Sequence, residues 1–206
     1  MNPLFTIGHS NHQLGLLLEL LRRHRIEAVA DVRSHPHSAR LPQFNRPLLE
    51  QALREKGLRY VFLGRELGAR REEPECYVDG QARYDRIVKT TEFSEGLQRL
   101  LKGLAAYRVA LLCAEKDPLT CHRTILVCRQ LRRRSFFIQH ILADGSLESH
   151  EALEDRLLLQ TGLAEPSLFA TREQQLEQAY DDQGLKIAFR QSDPVPDEEV
   201  QSAVTL

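Results

Sequence analysis

No stretch of the 206-residue chain approaches the ~18 consecutive apolar residues of a membrane-spanning helix, so no membrane partner is expected. Cysteine is scarce. Cys76, Cys113, Cys121 and Cys128 are too few and too scattered for a disulfide framework and fit a reducing, cytoplasmic setting. The start, Met-Asn-Pro-Leu-Phe-Thr-Ile-Gly-His, has no basic leader followed by an apolar stretch, which predicts no secretory signal. No Cys-x-x-Cys or His-x-x-x-His pair is present, so spacing predicts no metal site. No motif names a cofactor, an internal repeat is lacking, and nothing fixes an oligomeric state.

What is present suits one folded domain with an appendage: 42% hydrophobic and 28% charged residues. The net charge of −1 hides a division. Residues 1–140 hold 24 Lys/Arg against 15 Asp/Glu, whereas residues 141–206 hold 4 against 14. A basic body suggests an anionic ligand. Equally, the acidic end can fold back and pair with that body.

Apolar runs at 4–7, 26–32, 59–63, 109–113 and 136–142 read as strands. Between and after them lie helical patterns at about 12–24, 45–57, 84–88, 92–102, 121–134 and 149–160. Ser10 or Asn11 is placed to cap the first helix and Asn45 the second, which has Pro47 in its first turn. Strands alternating with helices predict an α/β domain over 1–165, with a mainly parallel sheet of about five strands and helices on both faces. Residues 166–206 form an acidic extension. It has a helical pattern at 171–182, a short strand or docking segment at 186–189, and disorder expected over the last ~15 residues.

In parallel sheets ligands bind beyond the carboxyl ends of the strands. His9 follows the first strand, Asp31 and Arg33 the second, Glu66 the third, Glu115 the fourth and Asp144 the fifth. The fourth is the most heavily loaded. Cys113, Glu115, Cys121, His122 and Arg123 fall within eleven positions, at a strand–turn–helix junction whose free amides favour an anion.

Several segments resemble a prokaryotic family catalogued as domain of unknown function 488. They are Thr6-Ile-Gly-His-Ser-Asn11, Asp31-Val-Arg-Ser34 with Pro36 and Arg40, and Pro42-Gln-Phe-Asn45. Gly64-Arg-Glu-Leu-Gly68, Cys113-Ala-Glu with Pro118 and Cys121-His-Arg123, and His140-Ile-Leu-Ala-Asp-Gly145 continue the pattern. The resemblance runs over roughly residues 4–160 and implies a three-layer, Rossmann-like α/β fold, but no activity. Family members often have Gly-Gly after the Glu-Leu. Ala69 follows Gly68 here, which limits how closely a ligand approaches that backbone.

The residues support three readings. In the first, a phosphate-bearing small molecule or a nucleic acid is held by Arg33, Arg40, Arg123, Ser10, Asn45 and Tyr84. His9, Asp31, Glu115 and His122 then serve proton transfer in hydrolysis or group transfer. In the second, Cys121 near a helix start and beside His122 is the nucleophile of a thiol-dependent enzyme, sulfurtransferase- or phosphatase-like. Such enzymes use Cys, five residues, then Arg, a spacing that neither Cys113 nor Cys121 makes with Arg123. In the third, the arginines only grip the phosphates of a nucleic acid. Against each stands a structural reading: Arg123 as a tie to Asp31 or Glu115, and Cys113 and Cys121 as small buried residues that could also pair oxidatively.

Overall fold

A computed structural model describes residues 3–134 and 136–191. In chain order the elements begin β1 (Leu4–Gly8), α1 (Leu14–Arg23), β2 (Ala28–Asp31), α2 (Arg46–Glu55), β3 (Arg59–Phe62) and α3 (Gly64–Leu67). Next come β4 (Tyr77–Val78), β5 (Gln81–Ala82), α4 (Tyr84–Ile87), α5 (Thr91–Ala106) and β6 (Val109–Cys113). A wide π-type turn over Arg123–Cys128 leads into α6 (Arg129–Arg132), followed by β7 (Ile138–Ile141), β8 (Leu147–Ser149), α7 (His150–Thr161) and α8 (Arg172–Ile187).

Six strands make one sheet in the order β3-β2-β6-β1-β7-β8. The first five are mutually parallel and β8 runs antiparallel to β7. This is the expected three-layer α/β architecture, and the five expected strands are the five parallel ones. β1, β2 and β6 are buried throughout because helices cover both faces, so they read as continuous apolar runs. Alternate residues feed separate cores. Phe5, Ile7, Ala110 and Leu112 meet Leu17, Leu21, Leu49 and Leu53 of α1 and α2. Leu4, Leu111 and Cys113 join the opposite core with Leu97 and Leu100 of α5, Leu157 of α7, and Leu176 and Tyr180 of α8.

Two small elements differ from expectation. β8 is three residues long, too short for a period, and follows the turn in which Gly145 takes φ 82°. β4 and β5 form a hairpin inside the long charged loop after β3. Its turn, Asp79-Gly80, has φ 48° and 72°, the positive values that an Asp-Gly pair supplies for a two-residue hairpin. The expected caps also differ. α1 starts after Gln13, so neither Ser10 nor Asn11 caps it, and the Ser10 hydroxyl donates to Asn11 instead. Asn45 does stand at the start of α2, but its Oδ1 accepts from the Ser38 amide at 2.6 Å, so the side chain satisfies the 35–44 loop.

The described part of the acidic end does fold back. α8 carries a capping box at Thr171 and Gln174 and buries Leu176, Ala179 and Tyr180. Arg129 pairs with Glu177 and Asp181, Arg132 with Glu154 and Glu173, and Arg133 with Glu177. Part of the basic surplus in residues 1–140 is thus neutralised internally. The stretch expected to be disordered falls on residues 192–206, outside the described residues. Among the described residues, no helix is long and apolar enough to cross a membrane.

One buried polar chain ties β1, β7, α7 and α8 together. Tyr180 donates to Glu154 Oε1 at 3.0 Å, so its oxygen accepts from His150 Nε2 at 3.0 Å. His150 Nδ1 then accepts from His140 Nε2 at 3.0 Å, and His140 Nδ1 accepts from the Thr6 hydroxyl at 2.8 Å. This direction requires both imidazoles neutral. Burial accordingly holds His140 well below its usual range and lowers His150 to about 4. Tyr180→Phe should therefore lower stability by about 1–3 kcal/mol in urea unfolding, because His150 and Glu154 each lose a partner. The pH dependence has a definite sign. Between about pH 6.5 and pH 4 the unfolded chain takes up protons at His140 and His150 that the folded chain refuses, so stability should fall as pH drops through that window. A urea midpoint flat across it would contradict the assignment.

Candidate functional site

A hollow of about 670 Å³ lies where the strands end. His9 and Ser10 after β1, Arg33 and Ser34 after β2, and Cys113 to Lys116 after β6 form its floor. Ala69 and Arg70, beyond α3, and Tyr84 of α4 build the sides, with Ile187 of α8 and the following Ala188 and Phe189. The docking segment expected at 186–189 is therefore part of the wall. Ala69 lines the hollow.

Register explains why the floor assembles. Gly8 lies beside Cys113 and Asp31 beside Leu112, so the chains leave the sheet at nearly one level. The ladder continues past the strands: His9 N–H donates to Cys113 O at 2.9 Å and Ser10 N–H to Ala114 O at 2.8 Å. Gly8 is required there. A Cβ at that position would sit 1.8 Å from the Glu115 carbonyl oxygen and 3.2 Å from Arg123 Nη1.

One side of the floor is an ion pair. β2 ends at Asp31, and Arg33, two residues on in the chain, falls on the same side, as the two-residue period of an extended chain dictates. Arg33 Nε and Nη2 donate to the two oxygens of Asp31 at 2.9 and 2.6 Å. Tyr60 also donates to Asp31, and Arg33 Nη1 reaches Phe44 O at 3.0 Å and His9 Nε2 at 3.2 Å. Those four bonds leave one of the five guanidinium N–H groups, on Nη2. The His9 ring stacks on Phe44, with centroids 4.3 Å apart, and its Nδ1 donates to Ser10 O. Burial, then the Arg33 charge, lowers His9 to about 4, so it is a neutral acceptor for Arg33.

The other side holds a cluster of titratable side chains. Cys113, Glu115, Cys121 and His122 bring one donor atom each to within 4.8 Å of one another. Cys113 Sγ is 3.6 Å from His122 Nδ1, and His122 Nε2 is 2.9 Å from Val32 O. Cys121 Sγ lies 2.8 Å from Glu115 Oε2, a contact that needs a shared proton. Burial opposes the Cys121 thiolate, but its hydrogen bond with Cys113 and then the Arg123 guanidinium outweigh it, and the thiol is held well below its usual range. Burial and then Cys121 push Cys113 up, and burial and then the Cys121 charge push Glu115 up. His122 is raised; burial opposes this, and the Cys121 sulfur more than offsets it. Sequence spacing could not show this donor set, because two of its members come from a strand end and turn and two from the residues leading into the π-type turn.

The expected site residues therefore divide. His9, Ser10, Arg33, Tyr84, Glu115 and His122 share the hollow. Asp31 is fully buried and positions Arg33. Cys121 is 1% exposed and lies behind Cys113 and Glu115. Arg123 is 0% exposed; its Nη1 and Nη2 donate to the carbonyls of Glu115 and Lys116 at 2.8 and 3.3 Å, which makes it a tie within its own turn. Arg40 is exposed and outside the lining, and Asn45 serves the 35–44 loop. Glu66 pairs with Arg99, and Asp144 holds its own turn through Ser146. Lys116 was missed, although its place beside Glu115 in the loaded turn was a signal for it.

The close approach at Gly8 generates a test. Gly8→Ala should destabilise by about 1–3 kcal/mol, because the 114–123 turn must move to admit the methyl group. Gly15→Ala, in α1 with open space around it, should instead be neutral or stabilising in the same urea titration.

Neither a curated protein nor a solved structure matches the chain. The sequence pattern of one family, "Domain of unknown function DUF488", matches residues 13–129, inside the span of the resemblance read from the motifs. That match takes in Arg33, the 64–68 segment and the loaded turn after β6, and at more than half of the 206 residues it places the protein in the DUF488 family.

Proposed function

We propose that the hollow binds a phosphate-bearing ligand of nucleotide size, and that the protein is an enzyme acting on it by hydrolysis or group transfer. The observation carrying this reading is the pairing of unneutralised cations with apolar faces in one concavity. Among the described residues, no carboxylate lies within ion-pair reach of the Arg70 or Lys116 side chain, whereas Arg33 is already committed to Asp31. The Arg70 guanidinium lies 4.6 Å over the Phe189 ring, which leaves its edge for an anion. Leu41, Tyr84 and Phe189 offer the faces against which a base can stack. A volume of about 670 Å³ falls within the usual range for small-molecule sites.

Roles follow from which atoms are free. Arg70 and Lys116 hold the anion, with the remaining Nη2 N–H of Arg33 behind them. His9 has both ring nitrogens engaged, so it positions Arg33 and does not move a proton. Glu115, whose side chain opens into the hollow, is the acid/base group. The thiol-dependent reading has less support, since Cys121 is enclosed and its sulfur is occupied by Glu115.

Calorimetric titration with nucleoside mono-, di- and triphosphates and a short single-stranded oligonucleotide tests the proposal. Binding of at least one is expected, weakened roughly tenfold or more by Arg70→Ala and by Lys116→Ala, since each removes a charge-assisted contact from a still-folded protein. Turnover of the bound ligand should be lost in Glu115→Gln. Failure of every phosphate ligand to bind would refute the proposal. Steeply salt-dependent oligonucleotide binding with no turnover would leave only the non-catalytic nucleic-acid reading.

A further inference from the structure

The donor set on the hollow floor remains unexplained by ligand binding alone. Two sulfurs, an imidazole nitrogen and a carboxylate oxygen converge at a place where packing would be better served by apolar side chains. We propose that Cys113, Cys121, His122 and Glu115 bind one divalent cation of the zinc class, with Glu115 as the exchangeable ligand on the hollow side, which serves as the acid/base group of the proposed function only when displaced from the ion.

The geometry fits. A tetrahedral ion with metal–sulfur bonds of ~2.3 Å and a metal–nitrogen bond of ~2.0 Å sets sulfur and nitrogen roughly 3.5 Å apart. Cys113 Sγ and His122 Nδ1 are 3.6 Å apart. Cys121 Sγ and Glu115 Oε2, at 2.8 Å, are closer than an ion between them allows. The shared proton that holds them there would leave, and the carboxylate would retreat by ~0.7 Å for metal–ligand bonds of that length. Glu115 has room for this, because its side chain opens into the hollow, whereas Cys113, Cys121 and His122 are buried.

His122 supplies an independent observation. The Val32 carbonyl can only accept, so the nitrogen 2.9 Å from it, Nε2, carries a hydrogen. Nδ1 is therefore the ring atom that faces the sulfurs, and as a ligand it would give up any proton it carries and present its lone pair. A backbone carbonyl fixing the far nitrogen of an imidazole is the usual outer-shell support of a metal-ligating histidine.

Charge gives a third. Arg123 is 0% exposed, no carboxylate lies within ion-pair reach of it among the described residues, and its Nε has no partner. A buried guanidinium is costly without negative charge beside it, and here the sulfurs of the donor set are what faces it. Two thiolates, one carboxylate and a dication sum to −1, which the Arg123 charge beside them cancels. Two sulfurs in the set favour a zinc-class ion over magnesium or calcium, which prefer all-oxygen sites. On binding, the Cys113 thiol proton, the proton shared by Cys121 and Glu115 and any proton on His122 Nδ1 pass to solvent, and no oxidation occurs.

The turn is built to hold this arrangement in advance. Arg123 clamps its inner side, and Asp117 accepts from the Leu119 amide and pairs with Arg156 through two 2.9 Å contacts on its outer side.

Cobalt(II) titration of the full, reduced, chelator-stripped chain without an affinity tag is the test. The expected result is saturation at one equivalent, with intense visible bands of tetrahedral cobalt and a near-ultraviolet thiolate-to-cobalt transition. Zinc should displace the cobalt stoichiometrically. Cys113→Ser and Cys121→Ser should each weaken the ultraviolet band, while Cys76→Ser and Cys128→Ser leave it intact. Glu115→Gln should keep the ion and make the visible bands sensitive to added azide. Should either serine variant fail to fold, the spectrum of the unaltered chain still decides. Absence of the ultraviolet band, or a Cys113–Cys121 disulfide as the stable form under mild reductant, would overturn the proposal. Phosphate-ligand binding is measured at Arg70 and Lys116, so loss of the ion and loss of the ligand are separable outcomes.

Discussion

The buried guanidinium of Arg123 is the constraint on which the site depends. It follows Cys121 and His122 directly and reaches back to the carbonyls of Glu115 and Lys116. One side chain thus closes the turn between β6 and the π-type turn, fixing where the Glu115, Cys121 and His122 side chains point. The cost of burying a cation away from water is large unless the groups around it are negative or strongly dipolar. Two carbonyls and the anionic character of Cys121 and Glu115 meet that requirement. The wide turn at Arg123–Cys128 is a distortion of the kind often found at functional sites.

A second buried cation works differently. Arg33 is neutralised by Asp31, in a bidentate pair further held by Tyr60, His9 and Phe44. Removing one member of such a pair strands the other, which typically costs about 3–5 kcal/mol. Asp31 and Arg33 are therefore as much a part of the fold as of the floor. Among the described residues, the cations of the hollow that no carboxylate neutralises are Arg70 and Lys116. Rigid strand ends and clamped turns hold the floor, while Ile187, Ala188 and Phe189 contribute a wall from the far end of the described chain.

Much of the architecture was legible because β1, β2 and β6 are covered on both faces and so read as apolar runs. β8 was not, since three residues carry no period, and the hairpin of β4 and β5 was overlooked despite its Asp79-Gly80 turn. The site was half legible. Residues directly after strands, His9, Arg33 and Glu115, do meet at one hollow, as parallel topology requires. Arg123 showed why position is not role: a cation at the start of a helical turn suggests an anion site, yet its length lets it turn inward to its own loop's carbonyls. The four-donor cluster was invisible to spacing rules, because those describe ligands on one local element. Here the strand end, the turn and the following helical segment are brought together only by the closure of the loop. The acidic end was ambiguous in sequence, and α8 resolves it by pairing with Arg129, Arg132 and Arg133.

If Arg123 holds the turn, its loss should loosen that turn before it loosens the sheet. Hydrogen exchange by mass spectrometry on Arg123→Met compares the two directly. The account predicts faster exchange in peptides covering residues 114–121, with β1, β2 and β6 still protected. Unchanged exchange in 114–121, with the protein folded, would contradict it.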